Sequence, residues 1–256
     1  DQHAEGELAL DAHGKFLGLR VRGMHNCGAY IVGSACVPIT FSLRVAPSVY
    51  AIPAIDLMSR MVFTHTPPTV PYRGAGRPEA IYMMERLIDV AALETGMDRV
   101  ELRRRNYLTP DDMPHSTATR FVYDSGEFDA ATAKCLELAD VQGFDARRVA
   151  SEAAGLRRGL GISYYIDDCG IFNERMDLRF DASGSLTIES GTFSHGQGHQ
   201  TTYAQMVSDW LGVPFETIRF AQGDTNQIGI GRGTYASRSM TIGGSALKGA
   251  ADDLIE

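Results

Sequence analysis

The sequence has a single tryptophan, four cysteines and no run of about 18 apolar residues in its 256 positions. Without such a run no membrane-spanning helix is predicted, and no signal-peptide pattern stands at the start. Cys27, Cys36, Cys135 and Cys169 lie far apart and form no CxxC pair, so they read as free thiols of a reducing compartment, the cytoplasm. Positive charge is also in deficit. A net charge of -8 argues against a general nucleic-acid or anionic-membrane surface. Low-complexity tracts are missing, as is an initiator methionine, and the chain stops in mid-pattern at Leu254-Ile255-Glu256. We expect a piece of something longer. A hydrophobic content of 44% over this length suffices for a sizeable globular core.

The periodicity predicts a mixed α/β (α+β) fold. Glu7–Asp11 and Phe16–Arg22 alternate around a turn and read as a hairpin. Residues 29–48 read as loop with a short helix, and 54–64 as a strand ended by Pro67, Pro68 and Pro71. Pro78 then opens a helix with Ile81, Met84, Ile88 and Ala91 on one face, and Gly96 stops it. Asp98 with Glu101 predicts a capping box for the next helix. Its Arg103-Arg104-Arg105 cannot share one face and reads as solvated charge or local ion pairs. Helices are expected over about 129–139 and 146–154, and a linker at Gly155–Gly159 divides a first subdomain (1–154) from a second (155–256). The second half predicts strands at 161–166, 175–180, 185–190 and 218–220, a helix from about Gly198 to Leu211, and a final helix from near Met240.

Three glycine-rich loops open onto helices: Arg73–Pro78, Gly196–Thr202 and Gly231–Met240. Unpaired N–H groups at a helix start offer an acceptor or anion a seat, and glycine lets it approach. With Arg73, Gln197, Ser237 and Ser239 as polar donors, three such loops point to one extended polar ligand rather than to structural turns alone. None of them gives G-x-G-x-x-G or a G-K-[ST] phosphate loop. His195 and His199 have metal-pair spacing, but the glycines between them disfavour a regular helix and no third ligand is near. No G-x-S-x-G elbow supports a hydrolase built on Ser237 and Asp224. Asp167, Asp168 and Glu174 read as solvated loop carboxylates rather than acid–base groups.

Taken together, Pro71-Tyr72-Arg73-Gly74-Ala75-Gly76-Arg77-Pro78-Glu79-Ala80, then Glu85–Asp89, Glu101–Asn106, Tyr123–Gly126, Gly196–Thr202, Gly223-Asp224-Thr225 and Gly233–Ser239 resemble the molybdopterin-binding large subunit of the xanthine dehydrogenase family. Within it the resemblance is closer to the aerobic carbon monoxide dehydrogenase-like subunits. It implies a molybdenum hydroxylase acting on a small-molecule substrate, with molybdopterin in its cytosine dinucleotide form. Iron–sulfur clusters and FAD would sit on partner domains or subunits, and the rest of the molybdopterin subunit would complete the chain. By the same resemblance Arg73, Gly74 and Ala75 lie beside the metal, and Gly196, Gln197, Gly198 and His199 hold the pterin and its phosphates. Ala236, Ser237, Arg238 and Ser239 form a second cradle, and the cofactor lies between the subdomains. The departures also carry information. Gly74 stands where the family's carbon monoxide enzymes have a copper-binding cysteine, and Ala75 where many xanthine oxidases place a stacking aromatic. That leaves aldehydes or N-heterocycles as expected substrates. The family's glutamate base and its early phenylalanine–glycine loop have no counterpart here, so no catalytic residue is assigned and the piece alone is expected to be inactive. The competing expectation is a non-catalytic binding or interaction module.

Overall fold

A computed structural model describes residues 2–256, which divide into two compact units, the first reaching to Asp167 and the second covering Asp168–Glu256. In the first, β1 (Gln2–Leu10) and β2 (Phe16–Gly28) form the expected antiparallel hairpin. Asp11 shapes its turn by accepting the His13 and Lys15 N–H groups at 2.8 Å. Along β2 the buried residues Leu19, Val21, His25 and Cys27 keep the period of two that a half-covered strand requires. The chain then crosses through α1 (Val37–Val45), and β3 (Ile55–Phe63) joins β2 in parallel, Leu19 against Ile55. α2 (Arg77–Thr95) buries Ala80, Ile81, Met84, Ile88, Ala91 and Ala92, one apolar stripe at helical spacing, and ends on Gly96 in the left-handed conformation.

α3 (Arg99–Arg104) begins at Asp98, whose carboxylate accepts from Val100 N and Glu101 N at 2.8 and 2.9 Å. Only this half of the expected capping box forms, because Glu101 pairs with Arg105 at 2.9 Å. The arginine run separates as a helix must separate it: Arg104 meets Asp129 and Arg105 meets Glu101. Of the two expectations, solvated charge or ion pairs, Arg103 meets the second. It has no exposure and bonds Glu85 at 2.8 Å and Asp89 at 2.9 Å, while the Tyr50 hydroxyl donates to Glu85 at 2.7 Å. A buried charge survives only with such partners.

β4 (His115–Ser116) pairs with β5 (Val122–Tyr123), followed by α4 (Phe128–Leu138) and α5 (Phe144–Ala153). Residues 161–166 do not form the expected strand. They run with alternating burial but pair with no ladder, and they are held instead by side chains. Tyr164 packs edge-on against Tyr107 and Phe128, Ile166 joins the same core, and Arg103 reaches the Ile162 carbonyl. That packing carries the first unit past Gly155–Gly159 to Asp167.

The second unit repeats the plan. β6 (Met176–Phe180) and β7 (Leu186–Ser190) form a hairpin, the chain crosses through α6 (His199–Leu211), and β8 (Ile218–Gln222) adds parallel to β7. A π-helical turn, Ser239–Gly244, leads into α7 (Ser245–Ile255). Met176, Leu186, Ile188, Tyr203, Val207, Ile218 and Leu247 make its core. In each unit a hairpin, a crossing helix and a parallel third strand precede a loop that opens onto a helix.

Candidate functional site

In the first unit the loop before α2 is a tight turn. Ala75 N–H donates to Tyr72 O at 2.6 Å and Arg77 N–H to Gly74 O at 3.0 Å. Gly74, Ala75 and Gly76 all take positive φ, 91°, 44° and 96°. At Gly76 this conformation and the space both demand glycine, since a Cβ would fall 1.8 Å from the Pro38 carbonyl oxygen at the start of α1. Arg77 locks the turn from below. It is buried, lies 4.0 Å over the Phe41 ring, donates to Gly74 O at 3.3 Å and is ion-paired with Asp167. Burial raises the Asp167 pKa, and Arg77 offsets part of that rise. Arg73 is left exposed at the tip, with Gly74 and Ala75 half-buried beside it.

In the second unit β7 ends in residues 191–198, and α6 starts on Gly198 with no side-chain cap, so its first N–H groups face outward. Gln197 organises this turn. Its carbonyl oxygen accepts the His195 N–H, which directs its NH2 group at His199 Nε2, 3.1 Å away. An amide NH2 only donates, so Nε2 accepts and the neutral ring carries its proton on Nδ1. Burial, and secondarily His195, lowers the His199 pKa and keeps the ring neutral. His199 is 7% exposed, and its Nδ1 has no hydrogen-bond partner among the described residues. A buried N–H donor without an acceptor, at an uncapped helix start, suits a ligand that brings acceptor oxygens. Gly196, Gln197 and Gly198 are exposed around it.

The loop before α7 supplies Ala236 and Ser237, both exposed and left-handed at φ 49° and 54°. Ser239 is half-buried, with its hydroxyl 2.8 Å from Thr234 Oγ1. Arg238 is wholly buried, its guanidinium turned to Glu174 and to backbone carbonyls. Glu174 therefore corrects the expectation of a solvated carboxylate, since its side chain has no exposure. Tyr203 is the residue that sequence reasoning passed over. Buried one turn after His199, it packs against that ring with centroids 5.3 Å apart and planes tilted by 35°, and donates to Ser239 O at 2.6 Å, joining both loops of this unit. Its position four residues after His199 on a helix is the one signal that could have flagged it. A cavity of about 680 Å³ in the first unit, lined by Tyr107, Leu136, Phe144, Ile162 and Tyr164, includes none of the loop residues.

Glycine turns at helix starts, exposed donors and a buried N–H unpaired among the described residues are features that suit a protein class holding a large polar cofactor. The comparisons give that class its particular form. Models of the molybdopterin cofactor-binding domain match residues 1–107 and again residues 134–256. The chain is 35% identical to the carbon monoxide dehydrogenase large chain of Hydrogenophaga pseudoflava, over 98% of this chain and 34% of that one. It is 27% identical to the xanthine dehydrogenase molybdenum-binding subunit of Escherichia coli O157:H7, over 96% and 33%. The crystal structure of quinoline 2-oxidoreductase from Pseudomonas putida 86 superposes with a TM-score of 0.92 at 31% identity, over 99% of this chain and 34% of that one. The chain belongs to the xanthine dehydrogenase family, within its molybdopterin-binding portion, and spans about a third of the length of these relatives.

Proposed function

We propose that this chain holds the molybdopterin cofactor of a molybdenum hydroxylase that oxidises a small aldehyde or N-heteroaromatic substrate. The observation that carries the reading is the α6 start, with Gly198 as its uncapped N-terminus and the His199 Nδ1 proton buried without a partner. Gly196, Gln197, Gly198 and His199 would bind the pterin and its phosphate oxygens, consistent with a cytosine dinucleotide extension. Ala236, Ser237 and Ser239 would supply amides and hydroxyls, with Arg238 behind them. Arg73, Gly74 and Ala75 would face the reacting end, where Arg73 is exposed at the loop tip and Ala75 carries no ring. Without a stacking ring at Ala75 an aldehyde or an N-heterocycle remains the expected substrate, and the likeness to a quinoline 2-oxidoreductase supports the heterocycle.

When bound, the molybdenum group supplies the oxidation, with water as the oxygen source. This chain binds, orients and shields the group. Glu174 is locked to Arg238 and is not placed as a base. Electrons leave to iron–sulfur and flavin partners. All four cysteines are free thiols, which suits the cytoplasm, and among the described residues no helix is long and apolar enough to cross a membrane. Metal and pterin analysis of the full-length protein tests the reading. About one molybdenum per chain is the expected stoichiometry of a single resident cofactor; active protein free of molybdenum refutes it.

A further inference from the structure

Glu174 and Arg238 lie 64 residues apart in sequence and face each other at 2.5 Å, neither side chain exposed. Arg238 also donates to three carbonyls, Ile171 at 3.2 Å, Asn173 at 2.7 Å and Gly233 at 2.8 Å, and lies 5.6 Å over the Tyr235 ring. The other Glu174 oxygen accepts the Arg175 N–H at 3.0 Å. It packs so tightly on Gly191 that a Cβ there would meet it at 2.4 Å. Gly233 N–H in turn donates to Gly191 O, and Gly170 N–H to Ala236 O, both at 3.0 Å. The pair thus ties together residues 171–174, the end of β7 and the loop before α7.

Within that frame Ala236 and Ser237 hold left-handed backbone, at φ 49° and 54°. Residues with a Cβ avoid this region and stay in it only where their surroundings over-determine them. A buried ion pair contributes little net stability, and in some proteins it fixes one arrangement among several. Resting on the cofactor reading above, we infer that Glu174 and Arg238 are positioning residues for the second cradle. They hold Ala236 and Ser237 in the strained form that presents the Ser237 amide and hydroxyl, and Arg238 itself does not touch the cofactor.

The test uses Glu174→Gln, Arg238→Lys and the double variant in the full-length protein. Amide hydrogen exchange is followed at residues 236–239 and 199–203, together with pterin retained per chain, at a temperature where circular dichroism shows each variant folded. Both single variants should speed exchange at 236–239 by about tenfold, as release of one strained residue implies. They should leave 199–203 unchanged and lower retained pterin alike, with the double variant no worse than either. Pterin loss confined to Arg238→Lys would mean that Arg238 contacts the cofactor, and would overturn the inference. Loosening spread evenly over the second unit would overturn it too, as a role in folding alone. Should Glu174→Gln not fold, Glu174→Asp, which keeps the charge and shortens the reach to Arg238, carries the same comparison. If wild type holds no molybdopterin the cofactor reading falls, and exchange at 236–239 still decides the positioning, unchanged rates contradicting it.

Discussion

The Tyr203 hydroxyl donates to the Ser239 carbonyl at 2.6 Å and sits 3.2 Å from Thr192 Oγ1. One phenol therefore ties α6, the end of β7 and the start of the π-helical turn. Tyr203→Phe keeps the ring against His199 and removes only these bonds. A buried hydrogen bond is worth about 1 kcal/mol net, and more when its partner is left unsatisfied. We expect urea denaturation to show a loss of about 1–2 kcal/mol. No loss at all would mean that the two loops are held apart from Tyr203.

Two histidines contribute to the acid limb of stability. Burial lowers the pKa of His25 and of His199, so the folded state keeps both neutral. The unfolded chain takes up those protons near pH 6.5. Protons bound more tightly by the unfolded state cost stability as pH falls, so stability is intact above about 6.5 and declines below it. Denaturant midpoints from pH 7.5 to 5 should show this decline, with a shallower slope in His199→Gln. An identical slope in that variant contradicts the burial argument.

At Gly76 the turn and the packing make the same demand. Gly76→Ala sets a Cβ 1.8 Å from Pro38 O in a backbone with φ 96°. The left-handed strain alone costs about 1–2 kcal/mol, and the clash adds to it. Thermal unfolding should show a large fall in Tm, together with movement of the loop carrying Arg73. A Tm within a degree of wild type would show that α1 yields.

Arg103→Met strands the Glu85 carboxylate beside Tyr50. Removing one partner of a buried pair costs about 3–5 kcal/mol, whereas replacing both can be nearly neutral. The double variant Arg103→Met with Glu85→Leu should therefore be more stable than Arg103→Met alone in guanidinium denaturation. Additive losses would contradict the pairing.

Elements whose fate is decided locally were legible. The α2 stripe, the glycine stop at 96, the first hairpin, the strands at 175–180 and 185–190 and the reach of α6 to Leu211 follow from spacing and turn chemistry alone. The order of the loops was legible too, because the glycines and short polar residues are contiguous. Long-range partnership was not. Glu174 looked like a solvated carboxylate and Arg103 like solvated charge or a local ion pair, since nothing near them in sequence announces Arg238 or Glu85, 64 and 18 residues away. Residues 161–166 alternate like a strand, but their neighbours are aromatic rings rather than a free sheet edge. The unpaired His199 proton required the Gln197 amide orientation, which only coordinates supply.

The central claim is that the 73–75 and 196–199 turns hold a molybdopterin, and its most direct test is the cofactor content of Arg73→Ala combined with Gln197→Ala in the full-length protein. Gln197 fixes the His199 ring, and Arg73 is exposed at its loop tip, so the pair can be removed without opening either core. We predict that molybdenum and pterin per chain fall together, with the fold intact by circular dichroism. Content equal to wild type, with undiminished turnover, would contradict the account and return these loops to structural turns.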